Sequence, residues 1–212
     1  MQKFIPIFPL NMVAFPGERI NLHIFEPRYK QLIQECDREQ KTFGIPIVEQ
    51  NTILDIGTEM VVEHIHKVYP DGEMDIQVKG LHACKVLEVV REVPEKLYAG
   101  AIISLLPNLE DRHSRLRDEL EGLTRELFGL LDILDTIDKP GFDFTSFKLG
   151  HYIGFSLRDE YEMLMLVRES ERQQFCIDHI RKILPAVRQV AEIRDKTKWN
   201  GQYRMINPPD FM

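Results

Sequence analysis

The spacing of apolar residues changes near Pro107, and a chain that carries two periodicities in series is built from two kinds of element in series. Before that point apolar residues alternate in short runs broken by Pro and Gly. After it they recur at helical spacing. The pattern predicts an α+β fold, with a β-barrel and one inserted helix over residues 1–107 and an α-helical bundle over residues 108–212. The absence of a linker-like tract predicts that the two halves pack together through a short hinge at Leu106–Asn108.

Five segments of the first half read as strands: Thr42–Val48, Glu59–Val68, Met74–Val78, Ala83–Val90 and Tyr98–Leu106. Each is rich in β-branched residues and bounded by turn residues. Between the second and third, Tyr69–Glu73 is a hairpin connection, because Asp71-Gly72 supplies the positive φ that a tight turn needs. Closing so many short strands into a barrel removes exposed edges. The inserted helix starts at Pro27, which suits a first helical position, and Tyr29, Leu32, Ile33 and Cys36 share one face.

In the second half Asn108 is a candidate cap for a helix in which Leu116, Leu120, Leu123, Leu127, Leu130 and Leu134 form one stripe, stopped by Lys139–Asp143. Asp143 then caps a short helix with Phe144 and Phe147. A helix after Ser156 buries Tyr161, Leu164 and Met165. Ser170 with Gln173 has the form of a capping box ahead of a long helix burying Cys176, Ile180, Ile183, Leu184 and Val187, which Pro185 is expected to kink. The last residues, 207–212, read as frayed.

Composition narrows the function. With 212 residues the chain can bury roughly 70% of its extended-chain surface, so the core needs no staples. Three well-separated cysteines offer no disulfide framework and suit a reducing, cytoplasmic setting. A net charge of -7 gives no general footprint for DNA, RNA or an anionic membrane. No apolar run reaches spanning length, and the opening residues meet prolines before a signal-type core develops.

The motifs of common catalytic sites are missing. No phosphate-cradling glycine loop is present, and Gly154–Arg158 lacks the second glycine of a nucleophile elbow, so Ser156 reads as a helix cap. His64 and His66 sit two apart on a strand, with His82 after the next. The simpler reading is a half-exposed face shared with Val62 and Val68, opposite Val61 and Ile65, because no carboxylate or cysteine pattern completes a metal site. His151 reads as a hydrogen-bonded packing residue. The acidic runs Asp118–Glu121 and Arg158–Glu162 read as solvated helix faces, and Arg168–Arg172 mixes both signs. No catalytic residue, metal or cofactor is assigned.

Familiarity begins with FIPIFPLNMVAFPGERINLHIFEPRY, Phe4 to Tyr29. This run resembles the opening of the Lon protease N-terminal domain family: a Pro-Leu-Phe-Pro-Leu-like strand, a Phe-Pro-Gly turn, and Ile-Phe-Glu-x-Arg-Tyr entering the first helix. The resemblance continues through Phe43–Ile45, Ile56–Thr58, Asp71-Gly72, Val78–Leu81, His151–Leu164 and Ile183–Pro185. It implies a PUA-like β-barrel followed by helices. In the full protease this region precedes ATPase and Ser-Lys peptidase modules, so the resemblance implies a stand-alone member without those activities. One departure is Ala83, which stands where the family has an arginine in Gly-x-x-Arg-Phe, so a contact made by that arginine is not carried over to this chain.

The expected function is a non-catalytic interaction module that binds unfolded or extended polypeptide, or a proteolysis partner, in a cleft between barrel and bundle. Phe15, Phe25 and Tyr69 are candidate groove aromatics, and Glu26, Arg28 and Tyr29 are candidate binding residues within the matched motif, each with a structural alternative at the helix start. The competing readings are a small-molecule or RNA binder through the barrel, and an uncharacterised hydrolase using His64, His66 or Ser156.

Overall fold

The computed structural model describes residues 2–111, 113–139 and 142–206, with side chains as far as residue 197. In chain order the elements are β1 (Gln2–Pro6), β2 (Arg19–Ile24), α1 (Pro27–Glu39), β3 (Phe43–Glu49), β4 (Thr52–Val68), β5 (Met74–Val90), β6 (Gly100–Leu105), α2 (Ser114–Leu131), a 3-10 turn (Leu134–Thr136), α3 (Ser146–Leu149), α4 (Leu157–Met165) and α5 (Glu169–Ile206). No helix among the described residues is long and apolar enough to cross a membrane.

The chain forms two compact units, Met1–Asp111 with Thr145–Arg172, and Arg112–Phe144 with Gln173–Met212. Segment 145–172 thus goes with the strands rather than with the other helices. Bonds to residues distant in sequence tie it there. Tyr161 of α4 donates to Asp55 of β4 at 2.7 Å, and Arg172 donates to Asn108 at 2.7 Å. Asn108 is therefore occupied and does not cap α2, whose N-cap residue is His113.

The barrel unit is one antiparallel sheet in the order β1-β6-β5-β4-β3, with β2 on β5. β5 is long enough to change partner: residues 74–79 pair with β2 and residues 84–90 with β6. Parallel bridges from Ile7 to Gly44 and from Leu10 to Ile47 bring the chain after β1 against β3, which closes the barrel. The expected strands at 74–78 and 83–90 are thus one strand, and β4 starts earlier than expected, at Thr52. β2 is an additional strand, and its alternation of Ile20, Leu22 and Ile24 with exposed Arg19, Asn21 and His23 is a strand signature. The Tyr69–Glu73 hairpin forms, with Gly72 at φ 81 and the Tyr69 amide donating to the Glu73 carbonyl at 2.8 Å.

Two family-like motifs distant in sequence meet at one glycine. Gly80 lies against the Phe15-Pro16-Gly17 turn, where an added Cβ would fall 2.2 Å from the Phe15 carbonyl oxygen. The Gly17 amide donates to the Gly80 carbonyl, and the Gly80 amide to that of Glu18, each at 2.9 Å. Ala83 is buried, and the void beside it, bordered by Pro16, Phe147 and Arg172, is only about 10 Å³.

α1 buries Tyr29, Leu32, Ile33 and Cys36, the four residues its spacing marks. They join Phe8, Phe43, Ile45, Met60, Ile76 and Val78 in the barrel core. Val62 packs on this core beside Ile65, not with His64 and His66, because a bulge between Val62 and His64 breaks strict alternation. α4 is enclosed on two sides, with Tyr161 reaching β4 and Met163 lying near Gly150 and Phe15. Met163 is therefore buried, and Met165, expected inside, is 38% exposed.

In the helical unit α2 ends at Leu131, ahead of the expected stop, because Asp132 turns left-handed at φ 59 and Leu134 enters the 3-10 turn. Leu120, Thr124, Leu127 and Phe128 are its buried face. Glu119 pairs with Arg181. Glu126 accepts from Arg188 at 2.7 Å, and Asp132 lies 2.9 Å from Arg194. The rising numbers on both sides show that α2 and α5 run in the same direction, with an interhelical charge ladder of coiled-coil type. α5 continues through Pro185 and buries Cys176, Ile177, Ile180 and Leu184. The expected Ser170–Gln173 box is replaced by Asp111, whose carboxylate accepts from the Ser170 amide at 3.1 Å and its hydroxyl at 3.0 Å. The expected Asp143 cap is replaced by Thr145 at the N-cap of α3, without a side-chain bond. Pro140, Gly141 and residues 207–212 lie outside the described residues.

Candidate functional site

Two clefts of about 520 Å³ each lie in the barrel unit. The first gathers the ends of several segments: Ile7 and Pro9 after β1, Arg28 and Tyr29 in the first turn of α1, Thr52 and Ile53 at the start of β4, Val89 and Arg91 at the end of β5, and Leu97 and Ala99 before β6. Asn51 reaches it from the tight β3-β4 turn, where Gln50 and Asn51 both take positive φ, 48° and 62°. The Leu97 amide donates to Gln31 of α1 at 2.8 Å, which pins this lip of the cleft to the helix. Leu97 itself is 66% exposed.

Tyr29 forms part of the cleft wall. Its ring stacks on Phe8 with centroids 3.9 Å apart, and the Arg28 guanidinium lies 4.5 Å over it. Burial pushes the Tyr29 hydroxyl above its ordinary pKa, so it stays protonated. Arg28 donates to Glu26 at 2.8 Å, which fixes the guanidinium at the cleft mouth.

The second cleft is lined by Lys3, Phe4, Glu35, Glu39, Lys41, Thr42, Lys96 and Tyr98, among others. Its charges cancel locally. Lys96 lies 2.8 Å from Glu35 and Lys41 2.5 Å from Glu39, while Lys3 pairs with the buried Glu59. Burial alone would raise the Glu35 pKa, but hydrogen bonds from Lys96, Tyr98 and Gln31 bring it below its ordinary value. Glu59 behaves likewise, with Lys3, Thr42 and His82 outweighing its burial.

The structure separates the six residues singled out in the sequence. Arg28 and Tyr29 line the first cleft, and Glu26 holds Arg28. Phe25 is 58% exposed, with its ring 6.3 Å from that of His23. Tyr69 is half-buried on the β4-β5 hairpin, where its hydroxyl donates to Asp75 at 2.7 Å and Lys67 covers its ring at 4.1 Å. Phe15 is not a groove residue. It is fully buried, 5.4 Å from Phe147 and 4.7 Å from His151 between ring centres, because the turn that carries it is pressed onto Gly80. Ile53, Val89, Arg91 and Leu97 carry no motif. Only the β3-β4 turn could have pointed to that lip, since Gln50-Asn51 separates two apolar runs.

Ser156 and His151 have structural tasks. Ser156 caps α4 in a reciprocal capping box with Asp159. His151 lies 2.7 Å from Glu160 and 3.1 Å from Glu18; burial would lower its pKa, but these bonds push it up to about 9. His82 lies 3.2 Å from Glu59. His64 and His66 are exposed with ring centres 6.0 Å apart. Among the described residues no group of three or more His, Cys, Asp or Glu is placed to hold a metal ion.

The fold resembles two solved structures. A Lon N-terminal domain protein from Xanthomonas campestris superposes with a TM-score of 0.60 at 22% identity, covering 81% of this chain and 95% of that one. The N-terminal domain of a Mycobacterium avium complex Lon protease gives 0.63 at 13% identity, covering 84% and 98%. At such identities the likeness speaks for the fold alone. Sequence membership rests on residues 5–196, which match the ATP-dependent protease La (LON) substrate-binding domain from the opening strand far into α5. The chain therefore belongs to the Lon substrate-binding domain family.

Proposed function

We propose that this protein is a non-catalytic module that binds extended or unfolded polypeptide in the first cleft of its barrel unit. The observation that carries the reading is an apolar floor of Ile7, Tyr29, Ile53 and Val89 beneath an exposed Leu97, within a family defined by substrate binding. A cleft of this size and lining accepts a few apolar side chains, with polar groups at the mouth to orient the main chain. β2 pairs with β5 alone among the described residues, so its other edge offers main-chain donors and acceptors to an added strand. The capping role of Ser156 and the carboxylate pairing of His151 and His82 favour binding over catalysis. Three buried free thiols suit a reducing cytoplasm.

Titrating a reduced, alkylated unfolded protein against the chain tests this reading. Saturable binding is expected, weakened about tenfold or more by Leu97→Asp, because a carboxylate replaces an apolar contact that the bound chain would desolvate. Leu97 is exposed, so the unfolding midpoint of this variant should stay close to that of the parent. No saturable binding, or binding indifferent to Leu97→Asp, would overturn the proposal.

A further inference from the structure

We infer that the first cleft selects polypeptide segments that carry an acidic side chain next to apolar ones. This inference rests on the polypeptide-binding reading above and specifies its ligand. The two clefts have the same volume but opposite electrostatic design. In the second, Lys3, Lys41 and Lys96 are each neutralised by a glutamate. The lining of the first contains Arg28 and Arg91 and no Asp or Glu. Arg28 shares its charge with Glu26. Arg91 is exposed, and no carboxylate among the described residues lies within ion-pair distance of it.

An arginine at the edge of an apolar cleft is suited to one class of ligand group. Its planar guanidinium takes a carboxylate through two parallel N–H donors, which sets orientation as well as charge. The surrounding apolar wall lowers the local dielectric once a ligand covers it, so the pair gains strength on binding. The rest of the molecule sharpens the effect. With a net charge of -7 the protein repels anionic segments in general, and a basic cleft is where such repulsion is locally reversed. An extended chain offers many acidic side chains and a single terminus, so the ligand group is a side-chain carboxylate.

The test uses fluorescence anisotropy with N-acetylated, C-amidated seven-residue peptides, rich in Leu and Phe, with Asp, Asn or Lys at the centre. The Asp peptide should bind about five- to tenfold more tightly than the Asn peptide, in keeping with one charge-assisted contact at a partly covered site. The margin should shrink between about 0.05 M and 0.5 M salt, where screening shortens below the size of the cleft. Arg91→Gln should bring the Asp peptide down to the level of the Asn peptide, and Arg91→Glu should move the preference to Lys. Equal binding of Asp and Asn peptides, a preference that survives Arg91→Gln, or an Asn peptide with a free C-terminal carboxylate binding as well as the Asp peptide would each overturn the inference. If the Asn peptide binds but Asp brings no gain, only the charge selectivity falls. If none of the peptides binds, the polypeptide reading falls with it.

Discussion

A guanidinium can be buried only if acceptors replace the water it gives up, and Arg172, 1% exposed, meets that condition in the barrel unit. It donates to Glu169 at 3.0 Å, to the Leu166 carbonyl at 2.7 Å and to Asn108 at 2.7 Å, with its charge 4.3 Å above the Phe147 ring. Glu169 in turn accepts from the Ser146 amide at 3.0 Å and hydroxyl at 2.8 Å. Removing the cation alone strands a buried carboxylate. Arg172→Met should therefore lower stability by about 3–5 kcal/mol in urea unfolding, and the double variant Arg172→Met, Glu169→Leu should lose less than the sum of the single changes. A single change that costs under about 1 kcal/mol would show that the network does not hold the segment. None of this could be read from Arg168–Arg172, where a mixed run of charge looks like solvated surface. Burial there depends on Ser146 and Asn108, which arrive from distant parts of the chain.

At the scale of elements, periodicity was the most informative signal in the sequence. The α1 face followed directly from the positions of Tyr29, Leu32, Ile33 and Cys36, and the leucine stripe marked α2 as one side of a helical pair. Boundaries were less legible, because they depend on bonds from outside the element: Asn108 is taken by Arg172, and Ser170 by Asp111. In the α2-α5 pair the stripe and the charge ladder should contribute very unequally. Leu127 is fully buried, and Leu127→Ala should cost about 2–5 kcal/mol. Arg188, with its side chain 54% exposed, pairs with a similarly exposed Glu126, and Arg188→Ala should cost at most about 1 kcal/mol. Thermal or urea unfolding of both variants measures the contrast, and comparable losses would contradict it.

For the whole molecule, the titrating groups set opposite limits on stability. Glu35 and Glu59 have pKa values below their ordinary 4.5 in the folded state, so they stabilise fully above about pH 4.5, and that contribution fades as the pH falls. His151 is the reverse. Its pKa rises from 6.5 to about 9, so its bonds to Glu18 and Glu160 stabilise fully below about pH 6.5 and are lost as the pH climbs through 9. Stability should be highest between these limits, and His151→Gln should flatten the alkaline decline measured by unfolding across pH. An unchanged decline would assign it to other groups. The α+β architecture was legible at this scale from the change of period near Pro107. The first cleft was legible only in part: Arg28 and Tyr29 lie in the Phe4–Tyr29 run, whereas Ile53, Val89 and Arg91 come from strand ends without a motif and meet them only when the barrel closes.

That closure has a cost in time during synthesis. β1 pairs with β6, Gln2 opposite Ser104 and Pro6 opposite Gly100. At about 5–20 residues per second, translating from β1 to β6 takes roughly 5–20 s, and β1 waits that long for its partner. Through that interval Phe4 and Ile5 belong to an unpaired, sticky ribbon on the ribosome, open to chaperones and to the wrong neighbour alike.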